Sequence, residues 1–418
     1  MHNRFLTKCT IDKRQKKENV DRMSNLPDPI LAHILSYVTT KDAVQTSLLA
    51  KRYQNLWASV PVVNLDFDDF LSSGKEVEEK FVKFVNGVFK NRKPLTLESF
   101  NLVWNADDSD PTPATAWLDT VAKLKPKFLS TDISTYNYNI EVPDSVFTSE
   151  SLQELVLELT SVETVIPRTI KLPRLKRLTL KEIYIEDEIL EKILLGSPAI
   201  EKMVLHNCVW NFGCIFSGTL KNLVLNDCCD ETTLFLDVLI CIPSLEFLEV
   251  YSSWFMTMGK LKFKDMKSLV GAQIHFKELS DEEPLFLTGL TNVKSLELVL
   301  SVSALRATKN LLKKETTKFP TFDNLRNLKI GGWSITHDFD LVARFLHHAP
   351  YLKKLTLLHN EELEHSEENI EVSLQLGDSL DILEIIYEKD DISSSELVKS
   401  VEAHFKKMRE ANIISSEK

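Results

Sequence analysis

The chain has 418 residues, 43% of them hydrophobic and 27% charged, and a formal net charge of −11. That length allows a large core and more than one domain, and the composition is that of a soluble globular protein. The negative charge argues against general nucleic-acid binding, which needs a positive surface to displace counterions, and against docking on anionic membranes.

The longest apolar run near a helix, Leu234 to Ile242, is interrupted by Asp237 and is too short to span a bilayer. The opening MHNRFLTKCTIDKRQKK lacks the apolar core of a signal peptide, so the expected location is intracellular, in cytoplasm, nucleus or both. The cysteines (Cys9, Cys208, Cys214, Cys228, Cys229, Cys241) are then expected as reduced thiols. They form no CxxC pair, and adjacent Cys228 and Cys229 would point to opposite faces of a strand. No metal or cofactor is expected.

In chain order, residues 1–21 read as a disordered basic tail carrying Lys8, Lys13, Arg14, Lys16 and Lys17. Within residues 22–64, Leu26-Pro27 suits the first turn of a short helix. Ile30, Leu31, Ile34, Leu35 and Val38 then fall on one helical stripe, which Thr39 to Asp42 breaks. Val44, Leu48 and Leu49 lead on to Lys51-Arg52-Tyr53 and Leu56-Trp57. Helices this short cannot bury their own faces, and a segment of about 40 residues is marginal without a partner. Residues 65–94 read as a helical linker, with Val77, Phe81, Phe84, Val85 and Val88 at helical spacing before Asn91-Arg92-Lys93-Pro94.

From Leu95 the pattern changes. Leu97, Phe100 and Leu102 mark a strand, and Trp117 to Leu124 a helix. An L-x-x-L-x-L pattern then recurs at Leu152/Leu155/Leu157, Leu175/Leu178/Leu180, Ile200/Met203/Leu205, Leu220/Leu223/Leu225 and Leu245/Leu248/Val250. It continues at Leu269/Ala272/Ile274, Val293/Leu296/Leu298, Leu325/Leu328/Ile330, Leu352/Leu355/Leu357 and Leu380/Leu383/Ile385. The interval, about 20 to 32 residues, is that of leucine-rich repeats, somewhat stretched. Cys208, Cys228 and Asn360 fall three residues after the last leucine, where a buried side chain can hydrogen-bond the departing backbone. Helices are expected over Ile185 to Leu195, Thr232 to Ile242 and Phe339 to His348, each stopping before a proline.

The expected fold class is therefore α/β: a solenoid over residues 95–372 with a parallel inner sheet and outer helices. Residues 373–418 would supply a final repeat and a C-terminal capping helix, opened by Ser393-x-x-Glu396 and carrying Leu397, Val401, Phe405 and Met408. The side chains between the leucines would face the concave side. Arg177, Lys181 and Lys202 would make a basic edge there, Phe247 and Tyr251 an exposed aromatic pair, and His275 is a further outward position. These are the candidate residues for holding a protein substrate of unknown identity.

Leu26-Pro27-Asp28, Ile34-Leu35, Thr40-Lys41-Asp42, and Thr46 through Tyr53 to Leu56-Trp57 resemble the F-box of plant F-box/leucine-rich-repeat proteins. The resemblance implies a three-helix F-box that docks on a Skp-type adaptor and, through it, joins a cullin-RING ubiquitin ligase. The implied adaptor contacts are Leu26, Pro27, Ile30, Leu31, Ile34, Leu35, Leu48, Lys51, Arg52 and Trp57. It implies no catalytic residue: the chain is expected to be a non-catalytic substrate receptor. Ala50, Tyr53 and Gln54 stand where the plant pattern usually has Ser, Trp and Arg, so the alternative is an interaction scaffold with a drifted F-box. Leu383 to Glu388 with Asp390-Asp391 loosely resembles part of the FBD that ends such proteins.

Overall fold

The computed structural model describes residues 25–73, 76–93, 95–105, 110–161, 163–211, 213–230, 238–252, 261–276, 285–300, 319–333, 339–359, 379–387 and 412–417. The expected capping helix and Asn360 lie outside these, as do the basic tail and the acidic stretch Glu361 to Glu371.

Alternating buried and half-exposed residues build a 14-stranded sheet whose neighbours follow chain order, from Val62–Asp66 through Ser99–Asn105 and Phe128–Ser134 to Asn412–Glu417. Every adjacent pair is parallel. All three residues of each leucine triplet are buried. Their registers coincide: Leu155, Leu178, Met203, Leu223 and Leu248 stand side by side, as do Leu157, Leu180, Leu205, Leu225 and Val250. No single repeat could bury such a row; stacking does it, and one hydrophobic cluster runs from Val63 to Ile385.

At the ends of three strands the chain turns through a left-handed residue, Glu182, Asn207 or Asp227. Each donates its N–H to the next repeat, to the carbonyls of His206, Asn226 and Tyr251 at 2.9, 2.8 and 2.9 Å. Cys208 and Cys228 follow and are buried; their thiols donate to the Leu180 carbonyl at 3.3 Å and the Asn226 carbonyl at 3.4 Å. Burial pushes the Cys228 thiol well above its ordinary pKa, so it is a protonated donor and not a nucleophile.

The other side of the sheet is mixed. Helices Asp187–Gly196 and Phe339–His348 lie close to their expected spans, Thr112–Lys123 begins five residues before the expected start at Trp117, and the last of the three buries Val342, Phe345 and Leu346. The helix expected over Thr232 to Ile242 is corrected in its described part. Val238–Cys241 is a strand between Cys214–Phe216 and Leu261–Lys264, because parallel partners on both sides satisfy its backbone and override a short apolar run that reads either way. A second small ladder joins Tyr184–Glu186, Val209–Asn211 and Cys229–Asp230.

Thr131 interrupts one of the leucine rows. It stands between Leu102 and Leu157, 1% exposed, and its hydroxyl has no hydrogen-bond partner. Thr131→Val keeps the volume and removes an unpaired polar group, so it should stabilise the fold by about 1 kcal/mol, read as a raised denaturation midpoint. An unchanged or lowered midpoint would contradict this.

Candidate protein-interaction surfaces

The N-terminal segment packs around a small core. Helix α1 (Asp28–Leu35) starts after Pro27 with a second proline in its first turn, and helix α2 (Thr40–Gln45) is capped by the Thr39 hydroxyl, which accepts from the Asp42 N–H at 3.2 Å. The expected third helix is realised as 3-10 turns at Thr46–Leu48, Lys51–Tyr53 and Trp57–Ser59. Leu31, Leu35, Ala43, Leu56 and Val60 form the core, with Leu26, Tyr53, Trp57 and Val62 packed partly against it.

The implied adaptor contacts thus separate by burial. Leu31 and Leu35 serve the chain's own packing, and Leu26, Ile34 and Trp57 are half-buried. Pro27, Ile30, Leu48, Lys51 and Arg52 are exposed, Leu48 at 87%. The Arg52 guanidinium donates to Asp28 Oδ1 at 2.7 and 3.0 Å and to the Leu26 carbonyl, which ties the turns to α1. Tyr37, Val38 and Leu49 are also exposed, Leu49 at 76%, and were not among the expected contacts. For Leu49 the signal was its place beside Leu48, which was an expected contact.

The open face of the sheet carries the second set. Arg177 is paired with Glu154 at 2.5 Å, and Lys181 with Glu158 at 2.7 Å, on the neighbouring strand. The expected basic edge is therefore largely neutralised from within, and Lys202 is its exposed remainder. Lys354 likewise pairs with Glu384 at 2.9 Å, and that ion pair holds the carboxyl below its ordinary pKa. Asp132 shifts the other way, because burial and the Glu158 charge raise it.

Phe247, 46% exposed, and half-buried Tyr251 share the face of one strand. The Phe247 ring lies over Gly271, where a Cβ would stand 3.0 Å from the ring edge. Tyr251 packs on His275 with ring centroids 4.4 Å apart and donates to Gln273 Oε1 at 3.2 Å. Burial lowers the His275 pKa although Glu297 Oε1 lies 3.3 Å from its Nε2. The structure thus brings Phe247, Tyr251 and His275 together, and places Arg177 and Lys181 apart from them in their own ion pairs.

No helix among the described residues is long and apolar enough to cross a membrane. Residues 23–65 match the family model of the F-box domain, and residues 114–270 match that of the LRR repeats of the FBD-associated F-box protein At5g56370. Among curated proteins of Arabidopsis thaliana, the F-box/FBD/LRR-repeat protein At1g78750 is 28% identical over 81% of this chain and 77% of its own length. The putative F-box/LRR-repeat protein At3g59170 is 28% identical over 93% of this chain and 90% of its own length. The F-box/LRR-repeat protein At4g14103 is 29% identical, covering 74% and 84% respectively. The chain therefore carries an F-box and FBD-associated leucine-rich repeats, and its homologues are the F-box/FBD/LRR-repeat proteins of Arabidopsis.

Proposed function

We propose that the chain is the non-catalytic substrate receptor of a Skp–cullin–F-box ubiquitin ligase. The F-box (22–64) docks on a Skp-type adaptor, the adaptor brings the cullin, and the open face of the repeats holds a target protein. The observation that carries this reading is the exposure of Leu48 and Leu49 on a segment that matches the F-box model. Two large apolar side chains left in water on so small a helical unit are the mark of a docking surface.

The chemistry is proximity. One end of the chain is fixed to the ligase while the other holds the target, so a charged conjugating enzyme meets a target lysine at high effective concentration. The chain makes and breaks no bond, and it acts in the cytoplasm or nucleus. Deleting residues 22–64 should abolish co-purification with a Skp-type adaptor; persistent binding would overturn the reading. A second reading, a scaffold with a drifted F-box, is favoured by the departures at Ala50, Tyr53 and Gln54, of which Tyr53 packs on the F-box core. An adaptor complex that never recruits cullin, or weak adaptor binding rescued by Tyr53→Trp, would select it.

A further inference from the structure

Strand Phe247–Ser252 and its neighbour Gly271–Phe276 meet on the open face as Phe247 beside Gly271, Glu249 beside Gln273, and Tyr251 beside His275. Glu249 is the central residue of this patch, and the aromatic residues on its own strand lie about 7 Å to either side. The Glu249 carboxylate makes no ion pair or hydrogen bond among the described residues. That sets it apart from Glu154, Glu158, Glu297 and Glu384 on the same face, each joined to a cation. Toward the sheet's far end, Lys329 follows Gln273 and Glu297 in the same register row and is committed to Glu297 at 2.8 Å. Lys202 stands two strands away in the other direction. Gly271 lets the Phe247 ring lie close against the neighbouring strand, since any side chain there would displace that ring.

We propose that Glu249, Phe247 and Tyr251 form a seat for an arginine side chain presented by an extended segment of the target protein. This rests on the receptor reading and names the chemistry its open face recognises. A guanidinium fits such a seat for two reasons. Its planar face stacks on aromatic rings, and its fork of N–H donors supplies the charge-assisted bonds that an unpaired carboxylate lacks. Aromatic anchors around one charged contact are also the arrangement in which a few residues dominate an interface. A leucine or other neutral apolar side chain would satisfy the rings but bury Glu249 without a partner. An acidic segment would be repelled.

The test uses the full chain bound to its adaptor and a fluorescein-labelled peptide Ser-Leu-Arg-Leu-Ser, with twins carrying citrulline or glutamate in place of arginine. The arginine peptide should bind at least about tenfold more tightly than the citrulline twin, the usual scale of a charge-assisted contact. Glu249→Gln should erase that difference and leave citrulline binding unchanged. Phe247→Ala should weaken both peptides while leaving adaptor capture intact. Equal affinity for arginine and citrulline, no binding of either, preference for glutamate, or a difference that survives Glu249→Gln would each overturn the seat. Adaptor capture measured on the same samples keeps the two ideas distinguishable. Its loss in the parent chain overturns the ligase reading, whereas lost peptide discrimination with intact capture overturns the seat alone.

Discussion

Replacing Leu48 and Leu49 together by glutamate should abolish capture of a Skp-type adaptor and leave the thermal midpoint of the free chain unchanged. The two side chains are 87% and 76% exposed and take no part in the F-box core, so the unbound fold loses nothing when they go. Burying each leucine on a partner is worth about 1.5–3 kcal/mol, so removing both weakens binding by roughly two to four powers of ten. Burying a carboxylate in their place adds a further penalty. Isothermal titration with the purified adaptor reads the loss, and a thermal melt reads the fold. Affinity within threefold of the parent would show that the contact lies elsewhere on the segment. Leu31→Ala is the contrasting control: Leu31 is 1% exposed within the F-box core, so its loss should lower the melt first.

Phe81→Ala should be the most destabilising single truncation, by about 3–5 kcal/mol. Phe81 lies on helix α3 (Val77–Asn91) and is fully buried. Its ring meets Phe67 at 5.4 Å, Phe70 at 5.3 Å, Trp104 at 5.9 Å and Trp117 at 6.0 Å, mostly edge to face, as aromatic quadrupoles prefer. Trp104 stacks on Trp117, whose indole N–H donates to Asn86 Oδ1 at 2.8 Å, so α3 is fastened to the sheet through the same cluster. The loss is read by urea denaturation followed by tryptophan fluorescence, since both indoles flank the cavity. A shift below about 1 kcal/mol would mean that the cluster collapses around the gap, the outcome at sites able to relax.

The repeats were the most legible part of the chain because their signal is periodic and their burial complete. Each leucine triplet lies in the core, and the helix Phe339–His348 has the span its apolar stripe indicates. The strand Phe128–Ser134 went unassigned because Thr131 occupies a leucine position and breaks the pattern. The ion pairs of Arg177 and Lys181 were hidden for a different reason. A strand read alone names its outward residues but not their partners, which stand one repeat away. Both pairs share an offset of 23 residues, so superposing one repeat on the next exposes Glu154 under Arg177 and Glu158 under Lys181. In the F-box, the resemblance named the segment and the apolar spacing gave its stripe, but neither could say which side chains turn inward. Leu31 and Leu48 look alike in sequence, and the 3-10 turns decide that one is core and the other bare.

Val62 packs against the F-box core and also begins the first strand of the great sheet. The Thr40 hydroxyl accepts from the Asn64 N–H at 2.8 Å, the Ala58 carbonyl from the Lys93 N–H at 3.0 Å, and the Lys41 ammonium sits 4.6 Å over the Phe70 ring. Because these contacts join the F-box directly to the sheet's first strand, strand number becomes a measure of reach. The strand bearing Glu249 is seven steps along the sheet from Val62, or about 34 Å at the usual strand spacing. On the receptor reading proposed above, cargo gripped nearer either end would present different lysines to the same ligase, so inserting or removing one repeat should change which lysine is modified before it changes whether cargo is held.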